Sequence, residues 1–90
     1  MSEASAFLSE RAQAMLDFER EWVAHQGRKD AEIRSRFGVS AARYYHLLAR
    51  VIELPAAVAY DPFTTKRLRR RRQERERQRT ARLLEDWPGR

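Results

Sequence analysis

The chain has 90 residues, no cysteine and a net charge of +6 at pH 7. This length gives one small domain, which can bury only about 60% of its unfolded surface. The absence of cysteine excludes disulfides, iron–sulfur clusters and thiolate zinc sites. The acidic N-terminal stretch MSEASAFLSERAQ does not resemble a signal peptide, and no stretch is long and apolar enough to span a bilayer. We therefore expect a soluble, cytoplasmic protein with no membrane partner.

The excess positive charge is confined to one segment of the chain. Residues 66–82 hold ten Lys and Arg residues against two Glu residues, whereas residues 1–65 and residues 83–90 each carry a net charge of −1. A charge run is often only a solvated surface, but cations this concentrated indicate a polyanionic partner.

Residues 9–25 are predicted to form the first helix. Ser9 is a suitable N-cap and Gly27 a suitable stop. Met15, Phe18 and Trp22 form one apolar row, which is flanked by Leu8, Ala12, Leu16 and Val23. An aromatic row at this spacing is typical of a core face, so we expect it to pack on the helices that follow.

Residues 31–52 are predicted to form two short helices joined by a tight turn. Gly38 can end the first helix in a left-handed conformation, and Ser40 can cap the second. Two amphipathic helices around such a turn are typical of the helix-turn-helix motif, whose second helix enters the major groove of DNA. Arg34 stands where that motif usually has a small residue, so an ordinary helical hairpin is the alternative interpretation. Apolar side chains recur at helical spacing on both helices, at Ile33, Phe37, Tyr44, Leu47, Leu48 and Val51.

The C-terminal third is predicted to contain one short helical turn and one long helix. Pro55 should end the preceding helix near Glu53, and residues 56–60 should form a turn in which Val58 and Tyr60 close the core. An N-cap acid followed by proline, Asp61-Pro62, should start a helix over residues 62–86 that stops at the Trp87-Pro88-Gly89 sequence.

This long helix lacks an apolar face, because no hydrophobic residue lies between Leu68 and Ala81. A coiled coil is therefore not expected. Leu83, Leu84 and Trp87 form a small apolar patch that is a candidate for dimer contacts, although the sequence does not determine the oligomeric state. The predicted fold is all-α: a small helical domain with a helix-turn-helix in residues 1–60, followed by a long Arg-rich C-terminal helix in residues 61–90.

Two groups of residues are candidates for contacts with nucleic acid. Arg43 can form a bidentate hydrogen bond with guanine, and short residues beside it permit close approach to bases. The candidate base-facing set is Ser40, Ala41, Ala42, Arg43, Tyr45 and His46. For Tyr45 and His46 the alternatives are a rim aromatic and a plain surface residue. The candidate phosphate-binding set is Lys66, Arg67, Arg69, Arg70, Arg71, Arg72, Arg75, Arg77, Arg79 and Arg82.

No catalytic, metal or cofactor site is predicted. His25 and His46 are isolated, and the chain has no HExxH, Gly-rich phosphate loop or GxSxG sequence. The first helix carries three acids that alternate around its axis, so a carboxylate pair is not expected. These acids are Asp17, Glu19 and Glu21.

Three segments resemble a family of small, largely uncharacterised actinobacterial proteins. They are LDFEREW at 16–22, RFGVSAARYYHLLARVIELP at 36–55 and AYDPFTTKRLRRRR at 59–72, with the patterns RYYxLL and DPxxxKRLRR. The resemblance covers about residues 9–72. It implies an actinobacterial, cytosolic protein with a helix-turn-helix-like middle, a basic C-terminal segment and a DNA-binding role, and it implies no defined biochemical activity.

The sequence therefore favours a small DNA-binding protein, either a transcriptional regulator or a nucleoid-associated factor. One alternative is an RNA- or ribosome-binding protein, because arginine-rich segments commonly become ordered on RNA. Another is an adaptor that holds RNA polymerase or another transcription component.

Overall fold

The computed structural model describes residues 7–23 and 27–86. In these residues the chain forms five α-helices and no strand: α1 Glu10–Trp22, α2 Lys29–Phe37, α3 Ala41–Val51, α4 Pro55–Tyr60 and α5 Pro62–Glu85. The prediction of an all-α protein is confirmed. The predicted lead-in at residues 1–6, the helix end near His25 and the stop at Trp87-Pro88-Gly89 lie outside the described residues.

Three helices begin at the predicted N-cap residues. Ser9, Ser40 and Asp61 each accept a hydrogen bond at 3.1 Å from the backbone N–H three residues later. Each cap satisfies one of the donors that a helix start leaves without an intrahelical partner. The long helix α5 also has proline at its first position, where the missing N–H costs nothing.

The core is built on one face of α1. Ala12, Met15, Leu16 and Phe18 are buried there and pack against apolar residues of the other four helices. The aromatic rings predicted to lie in this core do meet: the Phe18 centroid is 5.3 Å from Trp22, 5.7 Å from Phe37 and 5.9 Å from Tyr44. Rings at these separations add specific contacts to the burial of their area.

Helices α2 and α3 are joined by residues 38–40. Gly38 has φ +70° and ψ 19°, in the left-handed region, and its N–H donates to the Arg34 carbonyl at 2.9 Å. Arg34 is exposed, whereas Ile33 beside it is completely buried. The two helices and the turn lie where the sequence predicts them, and their identity as a DNA-binding motif stays a prediction.

Helix α4 and the first two turns of α5 complete the core. Ala57 is completely buried and its carbonyl accepts a hydrogen bond from the Thr65 hydroxyl at 3.0 Å. The prediction that Tyr60 closes the core is wrong, because this residue is 40% exposed and lies outside the core cluster; its hydroxyl donates to Asp17 at 2.8 Å. Leu68 is the last buried residue of α5, and every described residue after Arg72 is exposed. The proposed division of the chain at residue 61 stays a prediction.

We predict that Gly38→Ala destabilises the domain by about 1 kcal/mol, because a Cβ disfavours the left-handed backbone. No atom lies within 4 Å of a Cβ built at this position, so a steric clash adds nothing. Gly38→Asn is the matched control, since Asn tolerates this conformation better than Ala. Urea unfolding monitored by circular dichroism measures both, and an alanine variant as stable as the native protein would contradict the prediction.

Candidate nucleic-acid interface

A buried carboxylate fixes the relative positions of the helices that carry the candidate interface. Glu19 on α1 is only 4% exposed and accepts hydrogen bonds from Tyr44 Oη at 2.6 Å and from Lys29 Nζ at 3.0 Å. These two donors come from α3 and from the start of α2. Burial, reinforced by the hydrogen bond to Glu19, raises the pKa of Tyr44 above its ordinary value, so the phenol stays protonated and donates.

Sequence reasoning missed this role of Glu19, although a signal was present. Glu19 follows Met15 by four residues and Leu16 by three, so it lies within the apolar stripe of α1. An acid in such a stripe needs a partner, because an unpaired buried charge is strongly unfavourable. Asp17 is half-buried and Glu21 is exposed, so Glu19 is the buried member of the three acids.

Three of the candidate phosphate-binding arginines already have partners within the domain. Arg67 donates from Nη2 to the Glu19 carbonyl at 3.1 Å, and Arg69 donates from Nε to the Ile52 carbonyl. Arg72 forms an ion pair with Glu53 at 2.8 Å. These contacts hold the beginning of α5 against α1 and the end of α3. Their assignment as phosphate contacts stays a prediction, and their observed contacts are structural.

The remaining cations of α5 lie on two opposite sides of the helix. Arg71, Arg75, Arg79 and Arg82 follow one another at spacings of four, four and three residues, and we call them the arginine row. The row continues the side on which Thr64 and Leu68 are buried, past the point where the domain ends. Lys66, Arg70 and Arg77 lie on the opposite side and are exposed.

The arginine row borders two adjacent grooves beside α3. The first has a volume of about 410 Å³ and is lined by Tyr45, Leu48 and Ala49 of α3, by Arg71, Arg72 and Arg75 of α5, and by the Glu19–Lys29 pair. The second has a volume of about 460 Å³ and shares Ala49, Arg72 and Arg75 with the first. Arg79 and Arg82 also line the second groove. The row therefore faces the α3 side of the molecule along most of its length.

The base-facing candidates on α3 differ in accessibility. Ala42, Arg43 and His46 are exposed, and Ser40 is exposed while its Oγ caps the helix. Ala41 is half-buried and packs against the core, so it presents less surface than the sequence predicts.

Tyr45 is both a rim aromatic and an exposed residue. The residue is 44% exposed. Its ring lies 5.2 Å from the Tyr44 ring in an edge-to-face arrangement, and Lys29 Nζ lies 5.3 Å from its centroid. Arg43 and Tyr45 border different grooves, on opposite flanks of α3. The structure thus places Ala42 and His46 between two flanks, each of which carries cations.

The start of α5 is held by a second carboxylate. Asp61 caps the helix and accepts from Arg20 Nη1 at 3.2 Å. Desolvation raises the pKa of Asp61, but hydrogen bonds from Thr64 and Arg20 outweigh this effect, and the pKa falls below its ordinary value of 3.8. This arrangement joins α5 to α1 at the end opposite to the arginine row.

The described residues thus form a small all-α domain with an overhanging cationic helix, and none of its helices has the length and apolar character needed to cross a membrane. The family model described as a protein of unknown function (DUF3263) matches residues 7–80, so the chain belongs to this family. The match includes Glu19, Tyr44 and the first three arginines of the row. No curated protein and no solved structure matches the chain.

We predict that Tyr44→Phe destabilises the domain by about 1.5–3 kcal/mol, because it removes a hydrogen bond to a buried charged acceptor. Tyr60→Phe is the matched control: it removes the same hydroxyl and a hydrogen bond to a carboxylate, but at the surface. We expect its urea-unfolding midpoint to equal that of the native protein. Equal midpoints for both variants would contradict the role assigned to Glu19.

We predict that Asp61→Asn lowers stability by about 1 kcal/mol at pH 7, since asparagine keeps the cap but loses the attraction to Arg20. Because folding lowers the pKa of Asp61, the native advantage is complete above the ordinary pKa and disappears as the pH falls through the lowered value. Urea unfolding of both proteins at neutral and strongly acidic pH measures this. A difference that does not change with pH would contradict the prediction.

Proposed function

We propose that this protein is a small DNA-binding protein that acts in transcription or on the nucleoid. In this proposal α2 and α3 act as a helix-turn-helix, α3 enters the major groove, and the arginine row binds phosphates. An actinobacterial source, a cytoplasmic location and a binding role without catalysis belong to the same proposal. The observation that carries it is the arginine row, which overhangs the domain on the side that borders α3.

The lack of close ion-pair partners in the arginine row supports phosphate binding. Among the residues that the structure describes, Arg71, Arg75 and Arg82 form no ion pair, and Arg79 has only a loose one with Glu76 at 3.8 Å. From Arg71 to Arg82 the helix rises about 16 Å, which is long enough to follow a strand of backbone. Each phosphate that such a row neutralises releases counterions, which favours binding at low salt.

The outward side of α3 supports base contacts. Ala42 and His46 lie furthest from the core, with Arg43 beside them, and none of these side chains has a hydrogen-bond or ion-pair partner among the described residues. Small residues let the helix approach the floor of a groove, and an unpaired arginine can form two hydrogen bonds with guanine. Phosphate contacts from α5 would hold α3 in register, since they position a protein without reading sequence.

We predict that Arg71→Gln with Arg75→Gln weakens duplex binding about tenfold at about 50 mM salt and reduces the salt slope by about two. Arg70→Gln with Arg77→Gln is the control, because it removes the same charge from exposed residues on the opposite side of α5, where Arg77 has only a loose ion pair with Glu74 at 3.8 Å. Fluorescence anisotropy with a labelled duplex at two salt concentrations measures both pairs. Equal losses for the two pairs would show that net charge, not the row, determines binding.

The same assay distinguishes the contribution of α3 to binding from that of the arginine row. It also distinguishes DNA from RNA as the ligand. Arg43→Ala should reduce discrimination between a selected and a scrambled duplex by about 1–3 kcal/mol. The row variant should weaken both duplexes equally. Stronger binding of a structured RNA than of any duplex would replace DNA with RNA as the ligand. Indifference to both at low salt would overturn the proposal.

A further inference from the structure

A third groove lies on the flank of α3 that faces away from the arginine row. It runs between α3 and the start of α1 and has a volume of about 520 Å³. Its floor is apolar and its rim is cationic. The rim consists of Arg11 on α1 and of Arg43 and Arg50 on α3.

The floor exposes apolar surface on α3 and at both of its ends. Leu47 and Val51 lie four residues apart on α3, Val39 comes just before the helix and Leu54 just after it. Leu47, Val51 and Val39 are half-buried, and Leu54 is 45% exposed. Apolar residues at this spacing form the face with which one helix packs against another. Val39, Leu47 and Val51 pack against the core with part of their surface, and the part that faces the groove stays open.

The rim of this groove has no balancing charge. The side chains of Arg11, Arg43 and Arg50 form no ion pair with any residue in the described part of the chain, and no Asp or Glu lines the groove. In the groove beside the arginine row, by contrast, the lining includes the buried Glu19. An occupant of the third groove must therefore combine negative charge with an apolar surface.

We propose that this groove binds an acidic amphipathic helix of a partner protein. An amphipathic helix in a hydrophobic groove is a common recognition mode, with anchors spaced at three, four and seven residues. Arg43 to Val51 span about 12 Å of α3, which matches about two turns of such a helix. A nucleic-acid backbone could form ion pairs with the arginines, but its charged oxygens would lie against Leu47, Val51 and Leu54. The apolar floor therefore favours an amphipathic peptide.

This surface goes beyond the proposed DNA-binding function and does not depend on it. The groove and the arginine row border opposite flanks of α3. Only Arg43 is shared by the two surfaces. Arg11, Arg50 and Leu54 are therefore the residues to substitute, because they are exposed and have no assigned contact with nucleic acid.

The test uses a synthetic peptide of about 14 residues, or four helical turns, with leucines on one face and glutamates on the other. A control peptide has the same composition, with the leucines distributed around the helix. We expect the amphipathic peptide to bind the full-length protein at least about tenfold more tightly. In amide NMR spectra the largest shifts should fall on Leu47, Val51 and Leu54. Largest shifts on Arg71 and Arg75 would overturn the proposal, as would equal affinities for the two peptides.

Substitutions in the groove test whether the amphipathic peptide binds there. The double substitution Arg11→Gln with Arg50→Gln should lower the affinity for the amphipathic peptide about tenfold. The single substitution Leu54→Gln should lower it by about the same factor. The control pair Arg70→Gln with Arg77→Gln, which removes equal charge elsewhere, should change affinity less than about twofold. Thermal unfolding confirms that the variants fold. If the Arg11–Arg50 pair instead lowers duplex affinity and leaves peptide binding intact, the groove is a phosphate contact and the proposal fails.

Discussion

The Glu19 carboxylate organises this domain. It is buried in the stripe of α1 that forms the core, and its two donors, Tyr44 and Lys29, come from α3 and α2. Its own backbone carbonyl accepts a hydrogen bond from Arg67 of α5. One residue thus connects four helices. A buried ion pair adds little net stability, but removing one partner leaves a costly unpaired charge. Because the buried Glu19 carboxylate needs its partners, it specifies how α2 and α3 are placed around α1, and the hydrogen bond to its carbonyl adds α5.

Helix α5 combines two physical roles along its length. Its first turns bury Thr64, Thr65 and Leu68 and are tied to the domain by Asp61, Arg67 and Arg69. Beyond Arg72 every described residue is exposed, and the side that was buried continues as arginines. A cationic helix with no apolar face would have little order by itself, since neighbouring arginines repel. Attachment at one end gives its arginines a defined direction relative to α3.

Helix α3 separates two surfaces of different chemistry. The flank bordered by the arginine row is strongly cationic, and its apolar side chains, Leu48 and Ile52, are nearly covered. The other flank exposes Leu47, Val51 and Leu54 beneath three arginines. The two proposals follow from this difference, because a polyanionic strand suits the first flank and an acidic amphipathic helix suits the second. Tyr44 lies on the side of α3 that packs into the core, where it is buried and donates to Glu19.

Local signals in the sequence determined the helices, because caps, a left-handed glycine and prolines act within a few residues of Ser9, Gly38, Ser40 and Asp61. Periodicity likewise determined the apolar face of α1 and the absence of such a face beyond Leu68. The buried role of Glu19, the engagement of Arg67, Arg69 and Arg72, and the exposure of Tyr60 depend on partners 10 to 48 residues away. Only the tertiary structure decided which arginines face α3, because packing at one end of α5 sets the direction of every side chain after it.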